Sequence, residues 1–156
     1  MAVTLPLVGC GDDANGEIKE RAAAASEAAR TYQQASVDQD WKTACEARTE
    51  RLRRSWGADT IAQCVEITSV PRIGNYSDAR VSTGEAVEVK AFGPHPAGIG
   101  LSVTLDSGTA SRGGAFYTAL RLVPGEHGKW FVDQAVNLAE AKDTDSEAVR
   151  AALNRK

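Results

Sequence analysis

The sequence predicts an α+β domain in which N-terminal helices pack on one side of a curved antiparallel β-sheet. Apolar residues recur at three- and four-residue steps in the first part of the chain and at two-residue steps from Ile67 onward, so one change of period divides helices from strands. The last two strand-like runs are joined by Pro124-Gly125-Glu126-His127-Gly128, too short for a parallel crossover.

From residue 17 to about 35, Ile18, Ala22, Ala25, Ala29 and Tyr32 fall on one stripe of a first helix. The stripe is mostly alanine, which lets that helix lie close to whatever covers it. Ser36-Val37-Asp38 offers N-cap chemistry to a second helix, in which Trp41, Ala44, Cys45 and Leu52 share a face and Gly57 ends the run. Asp59 or Thr60 caps a short third helix carrying Ile61, Cys64 and Val65, and a crossing of helices two and three brings the two sulfurs within reach.

Residues 86–92 alternate apolar with charged, as a sheet with one wet face does. Residues 99–105 form a second β-rich run. Residues 115–123 form a third, with Phe116, Thr118, Leu120 and Leu122 on one face and Tyr117, Ala119 and Arg121 on the other. Residues 129–136 complete the hairpin. Residues 146–153, capped by Asp145 or Ser146, form a short C-terminal helix whose small apolar face is expected to fray.

At 42% hydrophobic and 25% charged the composition is that of a globular domain. A formal net charge of −3 removes any general case for nucleic-acid binding. The basic cluster Arg48, Arg51, Arg53 and Arg54 is interrupted by Glu46 and Glu50 and reads as a solvated helix face, with contact to anionic headgroups or an acidic partner as the lesser alternative. The layout is a short apolar run and polar tether over residues 1–16, one domain over 17–138 and a tail over 139–156.

The run Ala2-Val3-Thr4-Leu5-Pro6-Leu7-Val8-Gly9 has the character of the end of a signal peptide, and Leu7-Val8-Gly9-Cys10 resembles the lipobox of bacterial lipoproteins. No Lys or Arg precedes it and it is shorter than a complete signal, so the expectation is a start lying upstream or an engineered N-terminus. The resemblance implies acylation of Cys10, a membrane anchor and residence on the extracytoplasmic face of the cell membrane. Of the three cysteines, Cys45 and Cys64 then remain as a pair in a compartment where disulfides persist. Such a bridge stabilises by about 3 kcal/mol on the chain-entropy model. Two separate buried thiols are the alternative. His95 and His127 sit in Gly- and Pro-rich loops without ligand spacing to either cysteine, so no metal and no cofactor are expected.

The helices-then-strands order, with Asp40-Trp41-Lys42-Thr43-Ala44-Cys45, Cys64 and Gly128-Lys129-Trp130-Phe131-Val132, resembles the nuclear transport factor 2-like superfamily over residues 17–137. More narrowly, the chain is similar to small actinobacterial lipoproteins of that cone-shaped fold. The resemblance implies a binding or interaction domain of the cell envelope, holding a small apolar ligand in the cone or an envelope protein on the sheet face. It also implies a homodimer built on that face. The alternative it carries is an isomerase- or polyketide-cyclase-like enzyme.

For that alternative, Asp133 and Tyr117 on the last two strands are the candidate proton-handling residues. Asp133 alternates against Trp130, Val132 and Val136, so it faces water if those side chains fill the core. Tyr32 and Tyr117 read first as packing residues, and the expectation is no catalytic residue. Asp106-Ser107-Gly108-Thr109 matches a short aspartic-protease pattern in a single copy and reads as a turn. Phe92-Gly93-Pro94-His95-Pro96-Ala97-Gly98 reads as a stiff exposed loop.

Overall fold

The computed structural model describes residues 13–71, 74–108 and 114–155; Cys10 and its apolar run lie outside them. Helix α1 (Asp13–Val37) buries Ala25, Ala29, Tyr32 and Ala35, the expected stripe carried one step further. Ile18 is not part of it and stays exposed, one turn before Arg21, which reaches the sheet at Glu88 and Trp130. Ser36 and Val37 remain helical rather than capping the next helix. Asp40 does so instead, its carboxylate accepting from the Thr43 amide at 3.2 Å.

The expected second helix is two helices, α2 (Trp41–Glu46) and α3 (Glu50–Ser55). Between them the chain leaves the helix to pair with a strand: Val132 N–H donates to Ala47 C=O at 2.8 Å, and Thr49 N–H donates to Val132 C=O at 2.9 Å. Thr49 then caps α3, its hydroxyl accepting from Leu52 N–H at 3.2 Å. Helix α4 (Ile61–Thr68) opens with a reciprocal capping box between Thr60 and Gln63. A disulfide joins Cys45 of α2 to Cys64 of α4, with Cα atoms 6.0 Å apart, so the two cysteines are a pair rather than separate thiols.

Five strands form one antiparallel sheet: β1 (Arg80–Thr83), β2 (Val87–Val89), β3 (Gly98–Asp106), β4 (Ala115–Pro124) and β5 (Trp130–Leu138). The order is β1-β3-β4-β5, and β2 also pairs with β3, so β1 and β2 lie end to end along the same side of it. Helices followed by an antiparallel sheet make this an α+β protein, as the change of period predicts. The run 86–92 supplies only the three residues of β2, because Phe92 and His95 exchange backbone hydrogen bonds and close the following loop on itself.

The two faces of the sheet are both covered. Ile99, Leu101, Val103, Leu120, Leu122 and Val132 pack against α1, Ala44 and Leu52. On the opposite face Val87, Val89 and Ala119 pack against Val149, Ala152 and Leu153 of helix α5 (Ser146–Leu153). The C-terminal helix therefore docks instead of fraying, with Val149 and Leu153 fully buried. Gly100 permits the approach: a Cβ there would lie 2.8 Å from Val89 Cγ1 and 2.9 Å from Leu153 Cδ1.

The register of β4 and β5 slips once. Arg121 faces Gln134 while Leu122 faces Val132, leaving Asp133 as the extra residue of a β-bulge. On either side of it the inward parity reverses. Trp130 and Val132 pack with the α1 core, whereas Val136 packs under α5.

Candidate functional site

The bulge gathers charged groups. Asp133, expected to face water, is buried, and its side chain is completely inaccessible. The expectation rested on an unbroken two-residue alternation and on a wet second face, and the bulge and the elements around it remove both. Three segments of chain meet at this carboxylate. Thr49 Oγ1, from the start of α3, donates to Oδ1 at 3.0 Å, and the Arg51 guanidinium of the same helix donates to the same oxygen. His95, from the loop after β2, lies with Nδ1 2.8 Å from Oδ2.

The contact holds the ring in one orientation against the carboxylate. The imidazole is 21% exposed, at the rim of the cluster. Chemically the carboxylate can orient the imidazole, the first half of a proton-transfer device. The space between α1 and the sheet is filled by Tyr32, Leu52, Ile99, Leu101 and Leu120.

Tyr117 is not part of the cluster. It pairs with Leu138 at the far end of β5, five residues from Asp133, or about 16 Å along a strand. The two candidate residues of the enzymatic reading are therefore not brought together. Phe116, predicted on the inner face with Leu120 and Leu122, is 50% exposed. Asp106-Ser107-Gly108 is a turn, with Gly108 at φ +76° and its N–H donating to Asp106 Oδ1 at 3.0 Å.

Sequence patterning missed two features. His95 is separated from Asp133 by 38 residues, and no local spacing links a loop histidine to a strand carboxylate. The arginine cluster is the other. Arg54 lies on the surface with Glu50 and Asp59, but Arg51 binds Asp133, and Arg53 Nη1 donates to Arg48 C=O at 2.6 Å. Arg48 is buried between the rings of Tyr32 and Trp56, 5.5 and 4.1 Å from their centroids, with Nη1 3.2 Å from Cys64 Sγ. The break between α2 and α3 turns these side chains inward, where a continuous helix would present them to water.

Arg121 is the largest fully buried side chain among the described residues. Nε donates to Gln134 Oε1 at 3.0 Å; Nη1 donates to the carbonyls of Lys90 and Pro96 at 2.7 and 3.0 Å. Nη2 donates to Leu153 C=O and Asn154 Oδ1, both at 3.1 Å. All the donors of the guanidinium are thus used, two of them on the C-terminal end of α5. Burial pulls its pKa below the ordinary guanidinium value, an effect opposed by the charge of Asp133 and reinforced by Arg51.

Among the described residues no group of three or more His, Cys, Asp or Glu is arranged to hold a metal ion, and no helix is long and apolar enough to cross a membrane. Compared with known proteins, the chain matches no family model, no curated protein and no solved structure.

Proposed function

We propose that this chain is a lipid-anchored binding domain of the bacterial cell envelope, of the nuclear transport factor 2-like kind, exposed on the extracytoplasmic side and working by binding rather than catalysis. The observation that carries the reading is the Cys45–Cys64 disulfide. It leaves Cys10 as the one cysteine without a partner in the pair, directly after Leu7-Val8-Gly9. A disulfide agrees with an oxidising compartment, and an odd thiol there calls for a modification. The filled core supports a surface partner, an envelope protein in preference to a small apolar ligand held inside. Docking on the sheet face, and a homodimer through it, are confined to what α5 leaves uncovered.

The test is the intact mass of the protein purified from its native membrane, with and without reductant. The expected result is a chain beginning at Cys10 with the mass of a diacylglyceryl group and a two-proton gain on reduction. An unmodified chain retaining Met1 overturns the anchor and the location together.

The enzymatic reading, an isomerase- or cyclase-like activity, is favoured by the buried Asp133 holding His95. It needs an apolar chamber in contact with the imidazole. Saturable one-to-one binding of an apolar ketone that broadens the His95 ring resonances supports it; absence of such binding removes it.

A further inference from the structure

A groove of about 540 Å³ runs between α1, β2, the start of β3 and α5. Arg21, Lys90 and Arg150 line it, facing the single carboxylate of Glu88, over a floor that includes Val89 and Gly98. Glu88 is committed to Arg21 at 3.7 Å. Arg150 makes its hydrogen bond to an uncharged group, its Nε donating to Glu88 C=O at 3.3 Å. The groove therefore carries an excess of positive charge in a chain that is net negative.

A second observation lies beneath it. The buried guanidinium of Arg121 donates to Lys90 C=O and Asn154 Oδ1, two residues of the groove lining. Its hydrogen-bond acceptors are all neutral, a carbonyl or an amide oxygen in each case. The nearby Asp133 is already held by Arg51 and His95. A cation buried without a carboxylate in direct contact is costly, and a negative charge placed in the groove above it relieves that cost. Low-dielectric walls focus the field of buried and rim charges in the same opening.

We propose that this groove binds a small, multiply charged oxyanion of the phosphate class, with Lys90 and Arg150 as its direct ligands and Arg121 as the buried charge behind them. Arginine supplies a planar fork suited to a tetrahedral oxyanion, and lysine a compact point charge. The volume suits a phosphate group together with a small organic body. A free phosphate ester and a phospholipid headgroup present the same chemistry. The inference goes beyond the anchoring proposal and stands on the groove alone.

The experiment is a titration of the isotopically labelled full chain with inorganic phosphate, followed by amide resonances, against chloride at equal ionic strength. Saturable shifts at Lys90, Gly98, Arg150 and Asn154 are expected. Lys90→Gln combined with Arg150→Gln weakens the affinity by about tenfold or more. Glu88→Gln, a change on an exposed side chain, removes the repelling carboxylate and tightens binding. Melting curves establish that each variant is folded. No saturable shift, equal shifts with chloride, or a Glu88→Gln variant that binds no more tightly overturns the proposal. Sedimentation with phosphatidylcholine vesicles containing phosphatidylglycerol, competed by phosphate and lost in the double variant, identifies a lipid headgroup as the source. Phosphate binding without such sedimentation identifies a free anion.

Discussion

A single buried carboxylate, Asp133, fastens the start of α3, the loop after β2 and the bulge of β5, so its charge matters more than its volume. Asp133→Asn keeps the shape and leaves Arg51 and His95 without their carboxylate partner. The expected loss is about 2–3 kcal/mol of unfolding free energy, measured by urea denaturation. Arg121→Lys tests the other buried charge. Three donors on an ammonium cannot replace the five of a guanidinium, and the expected cost is about 2–3 kcal/mol with faster amide exchange in α5. Asp40 gives a pH-dependent case. Hydrogen bonds from Thr43 hold its pKa below the ordinary carboxylate value, with a small contribution from Lys42. A lowered folded-state pKa means the stabilisation is present above the unfolded value and lost as pH falls through the folded one. Asp40→Asn keeps a capping oxygen without the titration, so denaturation curves of variant and wild type converge as the solution is acidified.

At the scale of elements, the disulfide and α5 are the two fastenings that periodicity alone does not supply. Reducing the Cys45–Cys64 bridge, which spans a sequence separation of 19, costs about 3 kcal/mol by the chain-entropy relation, read as a fall in the urea midpoint. Gly100→Ala forces a methyl against Val89 and Leu153. An overpacked contact of this kind costs about 1–3 kcal/mol, and hydrogen exchange should show the loss concentrated in α5. The elements themselves were largely legible. The alanine stripe of α1, the Thr60 cap, the β3 and β4 runs and the split of β4 into two faces are local signals, and local signals survive folding. The break at residues 47–49 was not legible, because it exists to pair with Val132, a residue more than eighty positions away. β1 is four residues long and half exposed, too short to show a period. Asp133 was named from its strand yet placed on the wrong side, since one inserted residue shifts every side chain on one flank of it.

For the whole molecule, the layering commits both faces of the sheet to packing. Alanine on α1 lets the helix settle closely onto Leu101 and Leu120, and α5 closes the other side over Ala119, so both faces of the sheet have gone to the core. Charge has been sorted at the same scale. Acidic groups prevail in the sequence as a whole, while Arg21, Lys90 and Arg150 are collected around one opening, a contrast that no composition count reveals.

The tandem arrangement of β1 and β2 along β3 has a bearing on what crowded copies of this chain do to one another. A free sheet margin is a template onto which a neighbour can lay an extended segment and continue the ladder into a fibre. Here that margin is offered in pieces of four and three residues, separated by residues 84–86, which belong to no strand. The opposite margin is occupied at Val132 by the chain's own residues 47–49. The β1–β2 margin presents no run longer than four residues, so strand addition there is disfavoured and concentrated solutions are expected to stay free of thioflavin-positive aggregates while the native state persists.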